Sequence, residues 1–452
     1  MHQHDGESLV NETLLRYLPP FIRSKFEGRR NLQKIAGNSG WLYANALLRA
    51  PVGMAVNVWM ARYLGPQQFG LLNYVVAFVA LFSAFATLGL DGFVVRDIVK
   101  DPASRDETLG SAFVLKFCGG IVTLLASVAV IVLMKRDDSL VWGLVAITAA
   151  GTVFQAFDTI DFWFQSQVRS KYTVLAKCIP FLLVAAAKVI LILLKAPLVA
   201  FVWAALADVA LGGVGLVVAY RKQGHRITAW VATIGRAKSL MKDSWPLIFS
   251  SLVGMVYLRI DQVMLSQMVG DRELGIYSAA VKLAEAWYFL PVICTSAAPH
   301  IIEAKAVSDE MFYDRLQKLY NVMAFMGYAL AIPTTFLGGW LVRLLYGEEY
   351  RAAGPMLVVL IWSVMFVLLG VARSVFLTTM NWGKIHLFTV SLGAVVNVVL
   401  NLLLIPRYGG MGAAIASCVA YWMAAHGACF FYRPLFRTGS MLTKAIIFPK
   451  VW

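Results

Sequence analysis

The sequence predicts an all-α polytopic membrane protein, on the strength of its composition and its apolar runs. Of the 452 residues, 60% are hydrophobic and 14% are charged, and the mean hydropathy is +0.70. A soluble globular protein carries about 25% charged residues. Apolar runs of about 20 residues, long enough to cross a bilayer core, recur from Ser39 to Tyr432. A membrane β-barrel would instead show alternating segments of about 10 residues.

Twelve apolar runs predict twelve spanning helices. Most connections between them are short, and the longest lie at 91–109, 220–244 and 300–318. The predicted spans are 39–61, 70–90, 110–134, 139–164, 173–194, 197–219, 245–269, 275–299, 319–345, 355–379, 384–405 and 410–432.

The distribution of Lys and Arg sets the expected orientation, because cytoplasmic loops accumulate both residues. The chain before the first span, the three longest connections and the chain after 432 carry most of them. The connections on the other side carry only Arg62, Lys135, Arg136, Lys195, Arg272, Arg351 and Arg407. Both termini should therefore be cytoplasmic, which agrees with an even number of spans. The net charge of +15 has the same origin, so we expect no nucleic-acid partner.

An internal repeat divides the predicted bundle. LGPQQFGLLNY (64–74) and VGDRELGIYSA (269–279) share a G-x-x-x-[FL]-G pattern, and FQSQVRSKY (164–172) resembles LTTMNWGKI (377–385). We therefore predict two six-helix halves with the same orientation, an arrangement that suits substrate binding between halves that rock. The predicted parts are an N-terminal segment at 1–38, halves at 39–219 and 245–432, a basic linker at 220–244 and a tail at 433–452.

The N-terminal segment contains a basic amphipathic stretch at 9–35, interrupted by Pro19 and Pro20. Such a stretch lies on an anionic membrane surface or forms a disordered tail, and the sequence leaves both alternatives open.

Ionisable side chains deep in the spans are the candidate functional residues, because a charge at bilayer depth is costly unless it is paired or lines a wet cavity. Lys282 and Glu285 have the spacing of a local ion pair. Arg259 and Asp261 project about 200° apart on a helix, so each needs a partner on another helix or a ligand. The deep residues are Arg49, Lys188, Asp208, Arg259, Asp261, Lys282 and Glu285.

Other intramembrane charges lie near the predicted cytoplasmic ends. Asp158 and Asp161 share one helix face, where they could cap a helix, pair with Lys or Arg, or hold a cation. We expect Lys116, Lys177 and Arg373 to extend to the membrane surface.

An arginine at middle depth in each half, Arg49 and Arg259, predicts an interior suited to an anion, since a guanidinium binds phosphate oxygens in two places. The sequence contains no G-x-S-x-G, H-E-x-x-H or Walker A pattern and no metal-ligand spacing. We therefore predict no catalytic residue, no bound metal and no cofactor.

Four stretches together resemble Wzx-type polysaccharide flippases, which transport O-antigen or exopolysaccharide repeat units. These belong to the polysaccharide transporter family of the multidrug/oligosaccharidyl-lipid/polysaccharide (MOP) exporter superfamily. The resemblance covers about residues 35–432. The stretches are Gly37–Val99, which begins GNSGWLYANALLRAPVGM, FWFQSQVRSKY, YLRIDQVMLSQMVGDRELGIYSAAVKL and NLLLIPRYGGMGAAIASCVAY.

The resemblance implies a MATE-like fold in a bacterial cytoplasmic membrane. It also implies translocation of a polyprenyl-pyrophosphate-linked oligosaccharide to the outer leaflet by alternating access, coupled to H⁺ or Na⁺. Membrane lipids, a polysaccharide polymerase and glycosyltransferases would then be partners. Substrate binding falls to Arg49, Arg259, Lys188 and Lys282. Ion coupling falls to Asp261, Glu285, Asp208, Asp158 and Asp161.

Two other functions remain open at this stage. A MATE-type drug or cation antiporter shares the architecture, but its cavity should be acidic. A membrane glycosyltransferase or polymerase acting on the same lipid usually needs a large external loop, whereas the external loops predicted here are short.

Overall fold

The structure, a computed structural model, describes residues 30–450, without the side chains of 30–39, 42, 43, 292, 293 and 295–297. The stretch at 9–35 therefore lies almost wholly outside the described residues. Within them the chain forms α-helices, short 3₁₀ turns and no strand. The helices are α1 (Arg30–Thr87), α2 (Asp91–Lys100), α3 (Arg105–Met134), α4 (Ser139–Phe154), α5 (Thr159–Ser166), α6 (Ser170–Leu193), α7 (Leu198–Lys222), α8 (Ile234–Met268), α9 (Asp271–Glu285), α10 (Val292–Val307), α11 (Asp309–Tyr346), α12 (Ala353–Thr379), α13 (Gly383–Ala425) and α14 (Phe436–Ile447).

Twelve spans are present in residues 30–450, which confirms the predicted number. Nine stretches of the described chain are long and apolar enough to cross a membrane. Two of these stretches contain breaks, at Gly65 in α1 and Gly409 in α13, and each therefore provides two spans. The twelfth span consists of α9 and α10, which are separated by turns at 286–291. Pro291 lies at that interruption, where it disfavours helical backbone in the residue before it. The protein is thus a multi-pass membrane protein.

Two of the predicted loops are partly helical. The connection at 91–109 contains α2, an amphipathic helix that buries Val94 and Ile98. The predicted linker at 220–244 contains the first turns of α8, which begins after Thr233. The Thr233 hydroxyl caps that helix by accepting a hydrogen bond from the Arg236 N–H. The end of the bundle at 223–233 is called the linker end below. The limits of the two halves stay a prediction.

The repeated G-x-x-x-x-G pattern builds the contact between the halves. Its first glycine, Gly65 or Gly270, has a positive φ of 67° or 117°, which a residue with a Cβ rarely adopts. At its second glycine, two helix starts cross backbone to backbone. A Cβ on Gly70 would lie 1.7 Å from the Asp271 carbonyl oxygen, and one on Gly275 would lie 1.9 Å from the Pro66 carbonyl oxygen. This end of the bundle is called the crossing end below.

Hydrogen bonds reinforce the crossing end. Gln267 donates to the Tyr74 hydroxyl at 2.6 Å, and Tyr350 donates to the carbonyl of Ala61 at 2.7 Å. The Arg62 guanidinium donates to the carbonyl of Leu344 at 2.5 Å. Each bond joins a residue of the first half to one of the second, so several elements besides the glycines hold the halves together here.

We expect Gly275→Ala and Gly70→Ala to destabilise the protein strongly. The added methyl group meets backbone, which cannot move aside as a side chain can, so the cost should reach or exceed the usual overpacking penalty of about 1–3 kcal/mol. Thermal unfolding of the purified protein in detergent measures the effect. Gly254→Ala is the matched control, because nothing lies within 4 Å of a Cβ at that helical position. Equal melting temperatures for all three variants would contradict the crossing.

Candidate functional site

One charge cluster lies on α8 and α9 of the second half. Arg259 Nη1 donates to Glu285 Oε1 at 2.9 Å, and Lys282 Nζ lies 3.6 Å from Glu285 Oε2. The expected ion pair between Lys282 and Glu285 is therefore present, but Glu285 also pairs with Arg259. The three side chains are 23–29% exposed. Two cations share one carboxylate, so this partly accessible cluster carries a net positive charge.

Asp261 lies on the other side of α8, as the helical geometry requires. It is 4% exposed. Its carboxylate accepts hydrogen bonds from the backbone N–H of Gln262 at 2.8 Å, from Ser417 Oγ at 3.2 Å and from the Tyr277 hydroxyl. These contacts join α8 to α9 and to the second arm of α13, so Asp261 braces three helices. Its predicted role in ion coupling stays a prediction.

A second cluster lies on α3, α5 and α6 of the first half, with Asp158 just before α5. Lys177 Nζ lies 2.8 Å from Asp158 Oδ1 and 3.7 Å from Asp161 Oδ2, and Thr173 donates to Asp161 at 2.6 Å. Of the alternatives open for the two aspartates, the structure therefore shows pairing with a lysine. Lys177, which we expected to extend to the membrane surface, is paired with these two carboxylates and is 31% exposed.

Lys116 and Arg373 were also expected to extend to the membrane surface, and that prediction is wrong. Lys116 is 3% exposed, and its ammonium lies 4.7 Å from the ring centre of Phe162, a cation–π distance. Arg373 is 2% exposed. Both side chains are enclosed by neighbouring helices. The prediction used only the distance of each residue from the end of its own span, and this distance carries no information on neighbouring helices.

Arg49, Lys188 and Asp208 lie around a shared aromatic ring. The Arg49 guanidinium lies 4.5 Å from the centre of the Phe181 ring. Phe181 also lines a cavity of about 60 Å³, together with Lys188, Asp208 and Asn57. The Asn57 Oδ1 atom is buried without a hydrogen-bond partner. The first half thus has a small, mostly apolar cavity with three polar side chains between α1, α6 and α7, next to its middle-depth arginine.

The deep charges of both halves form mixed groups of cations and carboxylates. In the first half, Lys177 pairs with two carboxylates, Asp158 and Asp161, and Lys188 lines a cavity together with Asp208. The α8–α9 cluster has two cations to one carboxylate. The excess of cations in this second cluster favours an anionic ligand over a cationic one there.

The model of the polysaccharide biosynthesis protein family matches residues 35–299. The chain belongs to this family. The MatE family model also matches, over residues 246–403 of the second half.

The chain is similar to the capsular polysaccharide biosynthesis protein CapF of Staphylococcus aureus, with 27% identity over 207 residues. The match covers 45% of this chain and 52% of CapF, so the chain spans about half the length of that relative.

Solved structures of the MOP superfamily share the fold, as the resemblance predicted. An inward-facing multidrug resistance MATE family transporter gives a TM-score of 0.71 at 14% identity, covering 88% of this chain and 96% of that chain. The lipid II flippase MurJ in an inward closed conformation gives 0.70 at 14% identity, covering 90% and 91%. A MOP superfamily transporter from Pyrococcus furiosus gives 0.62 at 14% identity, covering 91% and 96%.

We expect Tyr277→Phe to lower the stability of the second half, because the buried Asp261 carboxylate would lose a hydroxyl donor. The expected cost is about 1–2 kcal/mol, measured by thermal unfolding in detergent. Tyr346→Phe is the matched control, since the Tyr346 hydroxyl is buried without a partner and its removal should be neutral or stabilising. An unchanged melting temperature for Tyr277→Phe would show that the hydrogen bond from Tyr277 to Asp261 does not stabilise the contact between α8 and α9.

Proposed function

We propose that this protein is a flippase for polyprenyl-pyrophosphate-linked oligosaccharide repeat units, moving them from the cytoplasmic to the outer leaflet by alternating access. Membership of the polysaccharide biosynthesis family supports the substrate class, and a fold shared with a lipid II flippase supports the type of transport. The observation that carries the proposal is the partly exposed cluster in which Arg259 and Lys282 share Glu285.

This cluster suits a pyrophosphate for a chemical reason. A guanidinium binds phosphate oxygens through paired N–H donors, and charge-assisted hydrogen bonds are about twice as strong as neutral ones. Arg259 now donates to Glu285 through Nη1. A pyrophosphate would compete with this carboxylate for both cations. In the first half, Arg49 is a second candidate contact, with Lys188 beside it.

The same cluster offers a route to proton coupling. If a proton neutralised Glu285, Arg259 and Lys282 would lose their shared counter-charge and would attract an anion more strongly. Glu285 thus joins the two functions within one ion-pair network. Asp208, Asp158, Asp161 and Asp261 remain further candidates for coupling to H⁺ or Na⁺.

The alternative of a drug or cation antiporter has weaker support. Three of the interior carboxylates are already paired with cations, Asp158 and Asp161 with Lys177 and Glu285 with Arg259, and Asp208 shares its cavity with Lys188. In our proposal the protein lies in a bacterial cytoplasmic membrane with both termini in the cytoplasm. It catalyses no reaction, and a polymerase and glycosyltransferases act before and after it.

We expect deletion of the gene to leave complete lipid-linked repeat units on the cytoplasmic face and to reduce surface polysaccharide. The measurement is to extract the lipid-linked saccharides and determine their size. Treating the cells beforehand with a glycan-modifying reagent that reaches only the periplasm shows on which face of the membrane the saccharides lie. Incomplete repeat units would instead indicate a glycosyltransferase. Changed drug tolerance with normal surface polysaccharide would indicate an antiporter.

Single substitutions test the proposed binding cluster. We expect Arg259→Gln to lower transport tenfold or more, because a lost charge-assisted hydrogen bond costs about 1.5–3 kcal/mol. Complementation of the deletion strain, normalised to the amount of folded protein in the membrane, measures transport. Arg351→Gln is the control, since its side chain is 71% exposed at the crossing end, and it should keep full transport. Equal transport by the two variants would exclude Arg259 as a substrate contact.

Glu285→Gln mimics the protonated carboxyl and tests coupling separately. We expect this variant to bind pyrophosphate analogues more tightly than the unmodified protein and to lose the dependence of transport on the proton gradient. Binding by the purified protein and transport into proteoliposomes with an imposed pH difference measure the two effects. A variant that keeps its gradient dependence would exclude Glu285 as the coupling group.

A further inference from the structure

The last helix, α14, has three strips of different character along its length. One strip is buried against the bundle and consists of Thr438, Gly439, Leu442 and Ala445. On the exposed side, Phe436 and Ile447 lie about three helical turns apart, so both belong to one apolar strip. Arg437 and Lys444, about two turns apart, form a basic strip beside it. The helix is therefore amphipathic even on the side that the bundle leaves uncovered.

The edge of the bilayer can be located on α11, the span against which α14 packs. Lys318 is 70% exposed and pairs with Asp314 at 2.8 Å, which is typical of helix surface in water. Further along the same helix, Phe325, Ile332 and Phe336 are 48%, 50% and 81% exposed. Exposed apolar side chains on a membrane span face the acyl chains. The bilayer core therefore begins on α11 between Lys318 and Phe325.

Hydrogen bonds fasten the end of α14 to α11 at this level. Asn321, which lies within that interval, donates to the carbonyl of Lys450 at 2.7 Å. Tyr328, at the start of the apolar part of α11, donates to the carbonyl of Ile446 at 2.7 Å. The exposed strips of α14 therefore lie where the lipid headgroups meet the acyl chains.

Exposed aromatic rings flank α14 at both ends. The turn before it exposes Phe430, Phe431 and Tyr432 by 45%, 69% and 44%, and Phe448 after it is 64% exposed. Contiguous exposed apolar surface on a protein marks a contact with a membrane or a partner. Helices that lie in a membrane surface combine Phe or Leu on one strip with Lys and Arg on the next. The surroundings of α14 have this composition.

The charges in this part of the chain are all positive. The sequence contains no Asp or Glu after Glu349. Its last helix and the residues around it carry Arg433, Arg437, Lys444 and Lys450. Among the described residues, no carboxylate lies within ion-pair distance of Arg433 or Lys444, and both side chains are exposed. The charge of these two cations is thus available to an anion outside the chain.

Apolar and basic strips at the depth of the headgroups match one kind of molecule, a lipid with a negatively charged phosphate. We propose that the exposed side of α14 and the turn at 430–433, together called the tail surface, bind anionic phospholipids. Arg433 and Lys444 contact the phosphate oxygens, and Phe436 and Ile447 enter the first part of the acyl region. Bound lipid would hold α14 against α11. This binding does not depend on the proposed flippase function.

Thermal unfolding of the purified full-length protein in neutral detergent tests the tail surface. The probe is a short-chain phosphatidylglycerol, and phosphatidylcholine of the same chain length is the neutral reference. We expect phosphatidylglycerol to raise the melting temperature saturably and phosphatidylcholine to raise it less. In the double variant Arg433→Gln, Lys444→Gln, half of the rise should need about thirtyfold more phosphatidylglycerol, since each basic side chain near an anionic surface strengthens binding about fivefold.

A second double variant, Arg351→Gln, Arg407→Gln, is the matched control. It removes the same charge from exposed positions outside the tail surface, and it should keep the half-point of the unmodified protein. Equal half-points for the two double variants would show a general attraction of cations for the lipid. Equal rises with phosphatidylglycerol and phosphatidylcholine would show that charge plays no part. Either result would overturn the proposal.

Two further measurements separate a lipid from other anions. Ile447→Ser removes an exposed apolar side chain and keeps every cation, so it should weaken phosphatidylglycerol binding several-fold. Unchanged binding would mean that the apolar strip does not enter the membrane, which contradicts the assignment. Inorganic phosphate at constant ionic strength should give no saturable rise. Polyglutamate represents an acidic protein, and a rise as large as that with phosphatidylglycerol would assign the tail surface to such a partner instead.

Discussion

The contact on which the rest of the structure depends is the crossing of two helix starts at Gly70 and Gly275. The backbones meet there directly, because a Cβ on either residue would lie within 2 Å of a carbonyl oxygen of the other half. The position of one half on the other is therefore fixed at the crossing end by backbone geometry. The same sequence pattern supplies the positive φ at Gly65 and Gly270, which lets the chain turn from the first span of each half into the next span. One repeated motif thus forms both the turn and the interface.

Helix α8 shows how one span can serve structure and function together. Its Arg259 side pairs with Glu285 in a partly exposed cluster, and its Asp261 side is buried against α9 and α13. A spacing of two residues places the two charges on nearly opposite faces of the helix. Since buried polar groups are costly when unpaired, the saturated Asp261 face holds the helix in place. In the proposed function, the cation-rich face would then keep a charge available for a ligand.

The number of spans, the two halves and the i,i+3 pair of Lys282 with Glu285 follow from periodicity and spacing along one chain segment. The pairing of Lys177 with Asp158 and Asp161 does not, because it joins residues of different helices whose relative rotation depends on packing. Arg373 illustrates the same limit. Its position near the end of a span suggested an extended side chain, but it is buried and contacts Thr389 of α13 and Cys429 in the turn that follows α13. The helix α2 was missed because an amphipathic surface helix of 10 residues is too short to stand out among apolar spans.

In the proposed alternating access, the crossing end would have to open while the linker end closes. A ligand shifts such an equilibrium only through a difference in its affinity for the two states. At the linker end, Arg236 pairs with Asp97 at 2.9 Å, and Thr233 donates to Glu107 at 2.5 Å. The first turn of α8 is therefore bonded to the first half, while its Arg259 region packs with the second. An anion held by both halves would act across this helix. In the proposed function, binding at the cluster and the position of the halves would therefore be linked through α8 itself.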